Sequence, residues 1–254
     1  MVADGASAER EFLPQLEMDN PERQTRVTVA FRVILLIPQF IVVWGLSIAA
    51  GVVTFIGWWA ALVLGRLPDW VADFLSGYLA WTIRVSAYAR LAVDEYPPFQ
   101  WTPPNAAVRI ELQRGELNRL AVLFRIILAI PAAILYAVLV YGWNAAAFVC
   151  WLVVLIMGRT PVPLFGATAA VVRYELRYQA YWMMLTSAYP KGLFGDGAGA
   201  EAERRRDTRP FRLTDGGRWL LIIFIVLGVL SIAGNAVTNS QMDRSYQYSV
   251  SVPG

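Results

Sequence analysis

The chain has 254 residues, of which 57% are hydrophobic and 16% are charged, with a formal net charge of +3 and a mean hydropathy of +0.47. Soluble domains are typically about 45–50% apolar and about 25% charged, so this composition argues against a soluble protein and favours one embedded in a membrane. Histidine is absent and Cys150 is the only cysteine, which excludes an intramolecular disulfide and removes the usual ligands of zinc and haem. We therefore expect neither a metal nor a cofactor.

Residues 1–27 are polar, and no apolar core precedes a small-residue cleavage site, so we predict a cytoplasmic N-terminal segment without a signal peptide. Alternation in Leu16–Asp19 predicts a short strand. A similar pattern recurs at Arg109–Leu112 and, with less similarity, at Phe211–Thr214, each time before a hydrophobic segment. We expect these short strands on the cytoplasmic side, one before each membrane unit.

A long apolar segment at residues 28–64 returns without gaps at a fixed distance. Phe31 recurs as Phe124, and 124 − 31 gives a spacing of 93. As one helix the segment would be about 55 Å long, against a hydrocarbon core of about 30 Å. We therefore predict a transmembrane hairpin in each copy, which turns in the first copy between Trp44 and Gly51. A single long helix, or a second leg that only partly enters the membrane, is the alternative.

An amphipathic pattern covers Asp69–Val93 and its copy, with apolar residues at spacings of three and four. Arg173, Glu175 and Arg177 lie together in the second copy, where central charges disfavour a membrane crossing. We therefore predict an interfacial helix on the cytoplasmic surface in each copy. Arginines at headgroup depth can bind lipid phosphates, which makes the following residues candidate contacts: Arg66, Arg84, Arg90, Arg159, Arg173 and Arg177.

The acidic residues near this helix are read as structural rather than catalytic. Asp73 lies one turn after Asp69, where both favour the helix N-terminus through its dipole. Asp94 and Glu95 are expected to pair with Arg84 or Arg90 and so fasten the helix.

The remaining segments complete a five-span prediction. The first repeat covers residues 28–99, a connector with a strand covers 100–117, and the second repeat covers 118–190. A flexible linker rich in glycine and arginine (191–218) then leads to a final transmembrane helix at 219–238 and an extracytoplasmic tail at 239–254. With two hairpins, the polar segments other than the tail and the hairpin turns fall on one side, and that side holds every Lys and Arg except Arg244. The positive-inside rule then predicts an all-α membrane protein with two repeats in parallel topology, its N-terminus in the cytoplasm and its C-terminus outside.

The repeated motifs resemble those of an uncharacterised family of bacterial membrane domains, the domain of unknown function with the number four-three-eight-nine. The resemblance rests on the Phe31-Arg32 pair, Gly65-Arg66 with Pro68, Arg84 with Tyr88, and the stretch Asp94–Phe99. The second copy departs from it where Ser187 and Ala188 replace Asp94 and Glu95. The resemblance implies a bacterial plasma membrane setting and brings no catalytic residues with it.

Two hypotheses for function follow. A membrane architecture without a recognisable catalytic set favours a non-catalytic accessory or scaffold subunit of a larger membrane assembly, with other membrane proteins as partners. The alternative is binding or transport of a lipid or a small solute through a groove between the two repeats. Membrane lipids, including anionic ones, are expected partners. Nucleic acid is not, because the basic residues follow the membrane edge. An enzyme would need a carboxylate cluster assembled from Asp69, Asp73 and Asp94.

Overall fold

The computed structural model describes residues 13–19, 23–104, 106–113, 115–195 and 213–251. This part of the chain is mainly helical and contains one small sheet. Its elements, in chain order, are β1 (Gln15–Met18), α1 (Arg26–Ala30), α2 (Arg32–Leu64), α3 (Asp69–Ala89), β2 (Val108–Glu111), α4 (Arg119–Leu123), α5 (Arg125–Met157), α6 (Val162–Trp182) and α7 (Asp215–Ser251).

The predicted hairpins are wrong, and the alternative of a single long helix is right. α2 and α5 are each one continuous helix of 33 residues, which is about 50 Å long. Gly45 and Gly51 stay within α2, since a glycine inside a helix weakens it by only about 1 kcal/mol and does not force a turn. Each helix ends instead at a glycine with positive φ, Gly65 (74°) and Gly158 (64°), a backbone conformation that favours this residue.

Three helices are long and apolar enough to cross a membrane: α2, α5 and the first part of α7, residues 215–241. The predicted final span at 219–238 lies within α7. The helix continues through most of the segment predicted as a polar tail. The structure therefore has three candidate spans rather than five within the residues it describes.

The helices predicted to lie on the membrane surface are instead central to the fold. α3 packs against α2 and α6, and only Asp69, Trp70 and Asp73 of its residues are exposed. α6 is covered in the same way by α3, α5 and α7. The charges of α6 are therefore placed inside the protein rather than at an interface, and neighbouring protein groups provide their hydrogen bonds.

The two repeats run in opposite directions, which corrects the predicted parallel topology. The indole of Trp58, near the end of α2, donates to the carbonyl of Val122 just before α5, at 3.0 Å. The equivalent indole of Trp151, near the end of α5, donates to the carbonyl of Val29 just before α2, at 2.8 Å. Each long helix therefore ends beside the start of the other, as a two-fold axis across both helices requires.

The predicted first and second strands are confirmed. β1 and β2 form a two-stranded antiparallel sheet in which Leu16 pairs with Ile110. The third predicted strand, at Phe211–Thr214, lies in part outside the described residues. The pairing joins the N-terminal segment to the connector between the repeats.

One difference breaks the symmetry of the repeats. α7 packs closely along α5, where a Cβ atom on Gly142 would overlap the backbone of Phe224 and one on Gly228 would overlap that of Val138. The residues of α2 equivalent to Val138 and Gly142 are Gly45 and Ala49, and both are exposed. A Cβ added to Gly45 would meet no atom within 4 Å. The second repeat thus has a helical partner on a face that the first repeat leaves open.

Candidate functional site

Arg32 joins the start of α2 to the end of α3. Its side chain is only 2% exposed and donates to the carbonyls of Tyr88 (3.1 Å) and Val93 (3.3 Å). It also forms an ion pair with Asp94 at 2.9 Å, and its guanidinium lies 4.3 Å from the centre of the Tyr88 ring. Its location thus differs from that expected of an arginine reaching for lipid headgroups, because the protein itself surrounds the charge.

Arg125 occupies the equivalent place in the second repeat, with one difference. It donates to the carbonyls of Tyr181 and Thr186, and its guanidinium lies 4.0 Å from the centre of the Tyr181 ring. Ser187 stands where the first repeat has Asp94, and none of the acidic side chains that the structure describes forms an ion pair with Arg125. The two buried arginines therefore share a geometry but not a counter-charge.

The pairing predicted for the acidic residues after α3 is wrong. Asp94 pairs with Arg32 and also accepts hydrogen bonds from the backbone of Thr25 and the hydroxyl of Thr28. Glu95 accepts a hydrogen bond from the backbone of Ala107 at 3.1 Å. Asp73 is exposed on the first turns of α3. The chain turns back after α3, which brings Asp94 to Arg32 at the start of α2.

Glu175 is the centre of a buried polar cluster between the repeats. It accepts hydrogen bonds from Ser86 (2.5 Å), Tyr136 (3.0 Å) and Gln179 (3.2 Å), and pairs with Arg90 at 2.8 Å. Arg90 also donates to Ser86. Both members of the ion pair are nearly buried, at 11% and 6% exposure. This cluster explains how α6 accommodates a carboxylate at its centre.

The six arginines proposed for headgroup contact fall into two groups. Arg84, Arg90, Arg173 and Arg177 lie mostly within the protein. Arg84, for example, donates to the carbonyls of Gln100 and Trp101, and its burial lowers its pKa below the usual value. Arg66 and Arg159 are exposed at the ends of the long helices. Contact with lipid headgroups thus stays a prediction, and Arg66 and Arg159 are exposed enough to make it.

A groove between the two repeats forms a cavity of about 460 Å³. The middle of α2 provides one wall, and the start of α5 and the end of α6 provide the other. Most of the surface is apolar or aromatic, and Arg125 is the one charged residue among its described lining residues, which are Ser47, Ala50, Gly51, Thr54, Phe55, Trp58, Tyr78, Arg125, Ile126, Trp182, Met183 and Met184. Sequence reasoning proposed a groove at this boundary but did not identify Arg125 as part of it.

The two-fold related place in the protein is filled. Ala50 of the cavity wall corresponds to Trp143, which is buried and donates to the hydroxyl of Thr168 at 3.3 Å. Met183 corresponds to Arg90, whose guanidinium lies 5.8 Å from the centre of the Trp143 ring. Beside Arg125, Ala50 and Met183 leave a cavity open. At the two-fold related place, Trp143 and Arg90 stand at the equivalent positions, and the Trp143 side chain is hydrogen-bonded.

No group of three His, Cys, Asp or Glu side chains that could hold a metal ion occurs within the described ranges. No curated protein and no solved structure matches the chain. A family model described as a domain of unknown function (DUF4389) matches residues 26–100 and again residues 119–193, together more than half of the chain. The chain therefore belongs to this family and carries two tandem copies of its domain.

Proposed function

We propose that the protein is a non-catalytic accessory subunit of a membrane assembly, and that a transmembrane helix of a partner subunit packs on α2 over Gly45 and Ala49. The observation that carries this proposal is the asymmetry of the repeats. On α5 the equivalent face is covered by α7, with backbones in close contact at Gly142 and Gly228. On α2 the same face is open, although its residues are as small.

Small residues favour such a contact because transmembrane helices associate mainly through close packing of their backbones. The open face continues from Ala49 to Val52, whose side chain is 57% exposed. These positions follow the i, i+4, i+7 spacing of one helical stripe. A partner helix with a small residue at the crossing would repeat on α2 the packing that α7 has on α5.

The location that we propose is the bacterial plasma membrane, with the N-terminus in the cytoplasm and the C-terminus outside. Phe224 and then Gly228 of α7 meet Gly142 and then Val138 of α5, so α7 runs antiparallel to α5 and parallel to α2. The starts of α2 and α7 then share one side. The sequence before α7 contains Arg204, Arg205, Arg206 and Arg209, which supports a cytoplasmic location for that side. Anionic lipid headgroups are further proposed partners, through the exposed Arg66 and Arg159.

A photo-crosslinking residue at Val52 tests the partner in living cells. The expected result is a discrete adduct with another membrane protein. Val33 is the matched control position: it lies on the same helix and is 71% exposed, but it points away from the stripe of Gly45 and Ala49. Ala49→Leu should weaken the Val52 adduct several-fold because the larger side chain separates the two helices.

Two results would contradict the proposal. One is the same diffuse labelling from Val52 as from Val33, and the other is an adduct at Val52 that Ala49→Leu leaves unchanged. Orientation is tested separately with tags at each end of the chain in inside-out vesicles, where only the C-terminal tag should resist added protease.

A further inference from the structure

We propose that the cavity beside Arg125 binds an amphiphile that carries an oxyanion headgroup, a carboxylate or a phosphate, on an acyl chain. This goes beyond the docking of a partner helix, which uses another face of α2. The inference combines three features of one place in the fold: a buried cation that pairs with none of the described acidic side chains, a cavity at its side, and apolar walls that lead toward the outer surface of α2.

The charge is the first feature. A buried charge is stable only where other groups compensate it. In the first repeat Asp94 provides a negative charge to Arg32, at 2.9 Å. In the second repeat, Arg125 donates to two carbonyl oxygens and contacts the face of the Tyr181 ring. Ser187 occupies the sequence position equivalent to Asp94. A bound oxyanion would provide Arg125 with the negative charge that Asp94 provides to Arg32.

The space is the second feature. Binding pockets for small molecules usually have volumes of about 300–1,000 Å³ and mostly apolar walls with a few polar groups, and a cavity of about 460 Å³ lies within this range. At the two-fold related place the protein fills the volume with Trp143 and compensates the charge with Asp94. A cavity and an arginine that pairs with none of the described acidic side chains therefore occur together in the second repeat, whereas the first repeat has a larger residue and an ion pair at the equivalent places.

The walls are the third feature, and they distinguish an amphiphile from a free anion. Ile126, Met183 and Trp58 offer apolar contact that a hydrated inorganic ion could not use. Gly51 and Phe55 belong both to the cavity wall and to the exposed apolar surface of α2. An acyl chain can therefore extend from the cavity into surrounding lipid while its headgroup stays beside Arg125.

The experiment uses the full chain in nanodiscs of phosphatidylcholine and native mass spectrometry of the released protein. Palmitate and its fatty alcohol share one chain and differ in charge, and phosphatidylglycerol and phosphatidylcholine differ in the charge of the headgroup. We expect retention of palmitate, of phosphatidylglycerol, or of both, at least about tenfold above their uncharged or zwitterionic counterparts, since a hydrogen bond between charged groups is stronger than one to a neutral group. Palmitate alone would identify a carboxylate ligand, and phosphatidylglycerol alone a phosphate ligand.

Two variants connect retention to the cavity. Arg125→Gln removes the charge and should reduce retention of the anion by about tenfold or more. Ala50→Trp introduces into the first repeat the residue that the second repeat has at the equivalent position, Trp143. The larger side chain should occupy the cavity and abolish retention of the anion while Arg125 stays in place. Ile41→Trp is the matched control, because it adds the same side chain at an exposed position of α2 outside the cavity, and it should bind as the unmodified chain does.

Circular dichroism and thermal unfolding establish which variants are folded. If Arg125→Gln does not fold, Ala50→Trp decides the question alone, because it leaves every bond of Arg125 intact. Equal retention of charged and uncharged probes would overturn the proposal. So would undiminished retention of the anion by folded Ala50→Trp.

Discussion

The guanidinium of Arg32 lies 2.9 Å from the Oδ1 atom of Asp94, a residue at the end of the helix hairpin formed by α2 and α3. The equivalent contact of the second repeat has no carboxylate, because Ser187 replaces Asp94. The repeats therefore allow an internal comparison of two buried arginines, one paired with Asp94 and one that pairs with no acidic side chain in the described part of the chain.

The first prediction concerns this ion pair. Asp94→Ser gives the first repeat the residue of the second and removes the charge from beside Arg32. We expect a loss of about 2–3 kcal/mol in the free energy of unfolding, since hydrogen bonds to charged groups contribute about 1.5–3 kcal/mol and Arg32 keeps its two carbonyl acceptors. The measurement is thermal or denaturant unfolding in detergent. Ser187→Ala is the control, and a loss as large as that of Asp94→Ser would show that the ion pair is not the cause.

The second prediction concerns the cluster around Glu175. Glu175→Gln keeps an acceptor oxygen but leaves Arg90 with an uncompensated buried charge, so we expect a loss of about 3–5 kcal/mol. Replacing both residues by leucine should recover part of this loss, because no lone charge then remains, although Ser86 and Tyr136 lose the acceptor that Glu175 provides. Gln179→Ala removes one neighbouring bond and should change stability by about 1 kcal/mol. A double variant less stable than Glu175→Gln would contradict this account.

The third prediction concerns the contact of α5 with α7. Gly142→Ala places a Cβ where it would overlap the backbone of Phe224, so α7 must move away. Overpacking of this kind destabilises by about 1–3 kcal/mol, and proteases should cut the chain before α7 more readily. Gly234→Ala is the matched control, because a Cβ there meets nothing within 4 Å and alanine favours a helix by about 1 kcal/mol. Identical unfolding and cleavage of the two variants would contradict the contact.

The fourth prediction concerns alkaline stability. Burial raises the pKa of Tyr174 to about 12, and its hydroxyl donates to the carbonyl of Ala132 at 3.4 Å. In the unfolded chain the pKa of a tyrosine is about 10. The folded state thus disfavours ionisation, and this contribution to stability is complete below about pH 10 and declines as the pH rises toward 12. Tyr174→Phe should make the fall of the unfolding temperature across this range less steep. A decline as steep in Tyr174→Phe as in the unmodified chain would contradict the prediction.

The repeat could be predicted from the sequence because its two copies share motifs at a fixed spacing of 93 residues. The first two strands and the apolar helices could be predicted because they depend on local periodicity. The hairpin could not, since Gly45 and Gly51 resemble turn residues when considered alone. α2 nevertheless continues as a helix through both glycines, and its contact with α3 joins residues distant in sequence. Contacts between distant residues also explain the position of α6. A lone carboxylate at the centre of a helix would disfavour burial of that helix, but four hydrogen-bond donors surround Glu175.

The arginine contacts could be predicted only in part. The sequence contains the repeated Phe-Arg pair and the repeated Tyr after Arg84, but nothing in their spacing places Arg32 on Tyr88. Leu91 and Met184, at equivalent positions after α3 and α6, adopt positive φ values of 63° and 60° without being glycine. Both side chains are buried, so tertiary contacts hold a backbone conformation that the local sequence would not favour.

The reciprocal bonds of Trp58 and Trp151 have a consequence for how such a chain could arise. Each repeat completes the helix start of the other, in the manner of an isologous interface between identical subunits. A chain with only one copy would leave its own tryptophan without the carbonyl it bonds here, and would regain that bond by pairing with a second identical chain. The tandem sequence thus has the form of a homodimer joined in one chain, in which equivalent positions such as Asp94 and Ser187, or Ala50 and Trp143, can differ as they could not in identical subunits.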